Sequence, residues 1–227
     1  KKKAEETFKM AMSLNPSLID NYIALSDMAY EKGNIDEAIE FLNLGAKYNS
    51  TNFDLVVRAA KYQRERKDYD KAIETLQNVQ VNDEKIKVML DKEIFMIYLE
   101  QENYSKAVEI GTVIVEDMFN STKIDDKVLA ETCYNVAICN RYLGYESYNR
   151  IVDIINQGID DKEVLNRSLE DAKKAIDYFK ISKERFYDAS SFDPDDQKSA
   201  QYAKDLTQLI KQIKKLFIPQ LKDLLKK

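Results

Sequence analysis

The side chains that most often carry catalysis are scarce in this chain. It has no histidine, which removes the commonest general base, the Ser-His and Cys-His nucleophile pairs and most zinc sites. Its two cysteines, Cys133 and Cys139, fall within one predicted helix. Six residues of helical rise separate them by about 9 Å, beyond the roughly 7 Å over which a disulfide closes, so both are expected to be small core residues. Acidic pairs at 125–126, 160–161 and 195–196 are the remaining candidates for acid/base work. All three fall at expected turns and helix starts, where capping and solubility account for carboxylates. The sequence has no Gly-rich phosphate loop, nucleophile elbow or EF-hand loop. No catalytic residue, metal site or cofactor is expected, and an enzymatic role would place its chemistry in a domain outside this chain.

The 227 residues are 44% apolar and 33% charged, a balance that suits a folded, helix-rich protein better than a disordered one. Five glycines and three prolines are too few for a many-turned β-sandwich. No uninterrupted apolar run reaches membrane-spanning length. A net charge of −5 argues against a nucleic-acid binder. The chain begins KKKAEE without a methionine, so sequence is expected upstream of Lys1. A targeting or lipidation segment could lie there, and cytoplasm and periplasm both stay open. Abundant Lys, Asn, Ile and Tyr suggest an AT-rich, bacterial genome.

The elements that position these residues repeat. KGNIDEAIEFL (32–42) returns as RKDYDKAIETL (66–76) and QENYSKAVEIG (101–111), offset by 34 and then 35 residues. Aligned on Ala4, Ala38, Ala72 and Ala107, the copies carry Phe8, Leu42, Leu76 and Gly111 four residues on, and Ala11, Gly45, Val79 and Ile114 seven on. These spacings share one helix face. Small residues there let a neighbouring helix approach, and larger ones fill the groove. Apolar helices precede each copy, marked by Tyr22, Leu25, Ala29 and Tyr30, then Val56, Ala59 and Ala60, then Leu90, Ile94, Ile97 and Tyr98. Each unit is a helical hairpin that buries its apolar face only by stacking on its neighbours.

This pattern resembles the tetratricopeptide repeat, whose period is 34. The second half of that motif, A-x3-F-x2-A-x4-P, is met by Ala4, Phe8, Ala11 and Pro16, and again by Ser182, Phe186, Ala189 and Pro194 with serine for the first alanine. The likeness runs in register over 4–117. It implies an all-α fold, a right-handed α-solenoid or superhelix of stacked helical hairpins. Lys67 and Glu102 depart from it by replacing the turn glycine, and Phe95 stands where a small residue is preferred.

From Asp126 the period breaks. YNVAICNRYLG still reads as a first repeat helix but runs on to about 158, and a second helix follows from about 162 to 191 with Leu165, Leu169, Ala172, Ile176, Phe179 and Phe186 on one face. The expected organisation is regular repeats over 1–117, the first reduced to its second helix; a lengthened hairpin over 118–193; and a closing helix with a basic tail over 194–227. Asp193 is expected to cap that last helix, with Pro194 in its first turn.

The resemblance further implies a noncatalytic scaffold or adaptor that binds a peptide or protein on the first-helix faces. By position, that face comprises Asp20, Ile23, Asp27 and Tyr30; then Asp54, Val57, Lys61, Arg64 and Glu65; then Lys92, Met96 and Leu99; and in the long repeat Tyr134, Asn135, Ile138, Arg141 and Tyr142. Against this stands the plainer alternative of solvated charges and core apolars. Ile23 and Asp27 occupy positions where relatives that grip chaperone C-termini use lysine and asparagine, so a carboxylate clamp is not expected. A structural subunit binding through its ends, convex face or tail is the competing role. The segment 205–227 holds six lysines against two aspartates. Pro219 is expected to break its helix. The LKDLL that follows could fold back, dock in another copy's groove, or lie on an anionic membrane, the last disfavoured by its shortness and the proline.

Overall fold

A computed structural model describes residues 2–49, 52–120 and 125–226. Helices connected by turns and loops account for the chain among those residues: α1 (Lys2–Leu14), α2 (Ile19–Glu31), α3 (Ile35–Tyr48), α4 (Phe53–Glu65), α5 (Tyr69–Gln77), α6 (Glu84–Glu100), α7 (Tyr104–Phe119), α8 (Asp126–Asn156), α9 (Lys162–Phe192), α10 (Gln197–Gln212), a π-helical turn (Ile213–Phe217) and α11 (Ile218–Leu225). They form two compact units, divided between Gln101 and Glu102 in the turn that joins α6 to α7.

In the first unit each helix packs on the next in chain order, from α1 through α6. The repeated alanines do what their spacing requires: Ala38 and Ala72 are fully buried, beside Leu42 and Leu76. Gly45 is the closest approach. A Cβ there would stand 2.8 Å from Tyr22 Cγ and 3.0 Å from Leu55 Cδ1, so α2, α3 and α4 meet across a position only glycine fills without displacement. The Tyr22 ring is buried, and its hydroxyl donates to the Pro16 carbonyl at 2.9 Å. One expected position fails: α5 ends at Gln77, so Val79 lies beyond the helix in the connection to α6. Asn78 closes the helix, and the QVND that follows offers β-branched and capping residues in place of strong helix formers.

The turn after α2 closes as a Schellman motif. Gly33 N–H donates to the Tyr30 carbonyl and Asn34 N–H to that of Ala29, with Gly33 at φ +80°. The turn after α4 repeats those bonds, from Lys67 to Arg64 and from Asp68 to Gln63, with Lys67 at φ +63°. Glu102 adopts φ +54°. A side chain in this left-handed region costs roughly 1–2 kcal/mol, offset in part by the lower unfolded-state entropy of a non-glycine residue. Lys67→Gly is therefore expected to raise stability by about 0.5–1 kcal/mol, read as a higher urea midpoint. Gly33→Ala should lower it by about 1 kcal/mol.

In the second unit α8 and α9, each of 31 residues, form a long hairpin. α7 packs on α8, while α10 and α11 pack on α9. Ser182, the substitute for the motif's first alanine, is buried and donates to the Ala137 carbonyl at 2.7 Å. Arg150 pairs bidentately with Asp171 across the hairpin, at 3.1 and 3.0 Å. Gly144 lets Phe179 cross α8: a Cβ there would lie 2.4 Å from Phe179 Cε1. Both cysteines are free and buried. Burial pushes each thiol up to about 12, consistent with core packing.

Two expectations about the C-terminal segment are corrected. The cap of α10 is Asp196, whose carboxylate accepts from the Lys198 and Ser199 amides; Asp193 instead ends α9, and Pro194 lies in the turn between them. Pro194 leaves room for that turn, which is closed by Asp196 N–H donating to the Asp193 carbonyl at 3.0 Å. Pro219 does not break the last helix. The π turn at 213–217 widens the helix just before it, and Pro219 takes an opening position of α11, where a missing N–H costs least. Leu221 is fully buried, in one cluster with Leu206, Ile213 and Ile176.

Candidate functional site

In the first unit, side chains bridge the first-helix faces of α2, α4 and α6. Tyr30 and Tyr62 stack with centroids 4.5 Å apart and planes 14° from parallel. Tyr30 Oη donates to Glu65 Oε2 at 2.7 Å, and Tyr62 Oη to Asp27 Oδ1 at 3.3 Å. The Glu65 carboxylate raises the Tyr30 phenol above its usual range; burial, then Asp27, does the same for Tyr62. Arg58 sits between Asp54 (2.9 Å) and Asp27 (3.9 Å). Lys61 and Arg64 both reach Glu93, at 3.3 and 3.2 Å, and Arg64 also reaches Glu100 at 3.2 Å.

The expected residues of this unit thus divide. Asp27, Tyr30, Lys61 and Arg64 come together, the two cations held in ion pairs across α4 and α6. Ile23 is half-buried against Leu42, Leu55 and Ala59. Met96 and Lys92 are also half-buried, and Asp20 is exposed at the start of α2. Val57 is the exception to a surface role: it is 6% exposed and belongs to the core, because α4 is covered on two sides, Leu55 and Ala59 facing one way and Val57 nearly the opposite way.

In the second unit α10 covers part of the expected face of α8. The Arg141 guanidinium lies 4.5 Å from the Tyr202 ring centre, and Tyr134 meets Phe186 edge-on at 5.6 Å. Ile138 packs on the same core, and Asn135 is half-buried. Tyr142 is 49% exposed and stacks on Tyr104, with centroids 4.5 Å apart and planes 1° from parallel. A cavity of about 690 Å³ opens beside Tyr134, between the first turn of α8 and the α9–α10 turn. Its rim holds Asp125, Lys127, Glu131, Asp193, Asp196 and Lys198. Asp125 and Asp196 are engaged as helix caps, Asp125 accepting from the Lys127 amide at 2.8 Å. Among the described residues no three His, Cys, Asp or Glu side chains converge in a way that could hold a metal ion.

Sequence reasoning missed Arg58, Tyr62, Glu93, Glu100 and Tyr104. A usable signal existed: Tyr30 to Glu65 and Asp27 to Tyr62 are both 35 residues apart, one repeat plus one residue. For the cavity there was none, since no periodicity brings the start of α8 beside the α9–α10 turn.

No family model and no curated protein matches the chain. Solved structures do. A TPR repeats protein from Bacteroides fragilis is 15% identical over 91% of this chain and 90% of its own, with a TM-score of 0.52. Cut9, from the APC/C hetero-tetramer Cut9–Hcn1, is 16% identical over 90% of this chain and 39% of its own, with a TM-score of 0.45. YrrB, described as a TPR protein with an unusual peptide-binding site, is 15% identical over 88% of this chain and 99% of its own, with a TM-score of 0.41. The chain has a tetratricopeptide-repeat type of fold, an all-α solenoid architecture of helical hairpins. At these identities the likeness speaks to the fold.

Proposed function

We propose that this protein is a noncatalytic interaction scaffold or adaptor that holds a peptide or partner surface against its first-helix faces. The organisation proposed with it is regular repeats over 1–117, a lengthened hairpin over 118–193 and a closing segment over 194–227. The supporting observation is the braced array of α2, α4 and α6. Tyr30, 39% exposed, is stacked on Tyr62 and hydrogen-bonded to Glu65 before any ligand arrives. A preformed aromatic anchor loses little ordering entropy on binding.

The test is partner capture from a lysate of the source cell by wild type and by Tyr30→Ala/Tyr142→Ala. Both tyrosines lie at the surface, so helicity should stay unchanged, and the loss of each ring stack should cost no more than about 1 kcal/mol. A partner retained at least about tenfold less by this variant, and fully by a Tyr187→Ala control on α9, supports the first-helix faces. Equal capture by all three rejects them. A second reading, a structural subunit that binds through its ends, draws on α1, where Met10 and Leu14 are 68% and 80% exposed. Concentration-dependent self-association abolished by Met10→Glu/Leu14→Glu would favour it.

A further inference from the structure

The last helix carries a run of lysines that its packing does not use, only Lys222 standing in a closing turn where a cation suits the helix end. Lys204 and Lys211 lie one above the other on α10, Lys214 and Lys215 fall in the π turn, and Lys222 follows on α11, whose faces the π turn has rotated by about a quarter turn, so the five occupy one broad side of the helix. All five are exposed, and none has an ion pair or hydrogen bond among the described residues; Lys226 is instead paired with Asp223 at 2.9 Å. Like charges aligned on a helix repel one another. Their mutual repulsion is relieved only by an anionic partner or by salt.

We propose that this lysine flank is an adhesion surface for an anionic lipid bilayer. Three observations select a bilayer over an acidic protein. The lysines are spread along a helix rather than gathered at one point: residues 204 to 222 rise about 27 Å along a helix that Pro219 leaves unbroken. Its cations are all lysine. Protein interfaces enrich arginine, with its fixed fork, and deplete lysine, whereas a fluid plane of headgroups asks for charge without geometry. Lysine clusters of this size on a helix suit anionic headgroups.

The third observation concerns depth. The apolar side of the same helix is already spent inside the unit, with Leu206, Ile213 and Leu221 buried. Contact is therefore peripheral and electrostatic, without insertion. Because the whole chain carries −5, the acidic remainder turns from the bilayer and orients the protein on it. This inference does not depend on the first-helix faces.

The experiment is co-sedimentation of the full chain with vesicles of phosphatidylcholine containing about one-third phosphatidylglycerol, against pure phosphatidylcholine. Binding is expected to the anionic vesicles alone. It should be released in about 1 M salt, where the screening length falls to about 3 Å. Each lysine near such a surface contributes about fivefold. Lys204→Gln/Lys211→Gln/Lys215→Gln/Lys222→Gln should thus weaken binding about a hundredfold or more while leaving helicity and melting unchanged, and the same four positions as arginine should keep it. No binding by wild type, equal binding to neutral vesicles, survival in high salt, or full binding by the glutamine variant would each overturn the proposal. The first of these would return the flank to an acidic protein partner.

Discussion

Gly144→Ala should cost about 3 kcal/mol of stability, at the upper end of the overpacking range. The new methyl would stand 2.4 and 2.5 Å from Phe179 Cε1 and Cδ1. The ring has no slack in which to retreat: Phe179 is fully buried, with Tyr145 edge-on at 5.3 Å and Tyr148 at 6.4 Å. The strain must pass into the α8–α9 separation, along the middle of a hairpin whose helices depend on each other for burial. Denaturation followed by far-ultraviolet circular dichroism measures the loss, and faster amide exchange in α8 and α9 locates it. The coupling with Phe179 is the sharper check. Phe179→Ala alone should cost about 3–5 kcal/mol, yet the double variant should cost about 2 kcal/mol less than the sum, since the methyl added at position 144 would enter the space the ring vacated. Strict additivity would mean that the glycine answers to something other than this ring.

Leu221→Ala should destabilise the second unit by about 2–4 kcal/mol, a large effect for a residue so near a basic C-terminal end. The reason is its place: it is fully buried in a cluster that joins the end of the last helix to α9. Leu216, on the same helix but 58% exposed, provides the contrast. Leu216→Ala should stay within about 0.5 kcal/mol of wild type. Urea midpoints of the two variants decide the matter. Near-equal small losses would mean that the segment after Pro219 is not docked as the structure has it, and its apolar edge would again be available to a partner. The outcome also bears on the lysine flank, because docking fixes the side of the helix on which its lysines stand.

The hairpins, their order and many of their turns were legible in the sequence, and for local reasons. A period of 34 residues with alanine, leucine and a small residue at fixed offsets states which face of each helix is apolar, and Ala38, Ala72, Leu42 and Leu76 are buried accordingly. Register also identified Lys67 and Glu102 as occupants of a glycine position, and both take the left-handed conformation. Helix length is less local. Val79 fell outside α5 because propensity in QVND outweighed the repeat phase. Pro219 stayed inside a helix because a π turn, stabilised by the burial of Ile213, absorbed the disruption.

The first-helix faces show where sequence stops. It marked Asp27, Tyr30, Lys61 and Arg64 as surface candidates, but it could not say that the two cations are answered by Glu93 and Glu100, or that Arg141 is spent on Tyr202. Those pairings depend on how far each helix is rotated against its neighbour. A turn of a few tens of degrees exchanges one partner for another and carries Val57 into the core. By itself the sequence determined the class of fold, the repeat, the lack of histidine and the basic character of the last helix, because composition and spacing act within a helix. Only the tertiary structure decided which charges remain unanswered, since an ion pair forms between helices that sequence leaves about thirty residues apart.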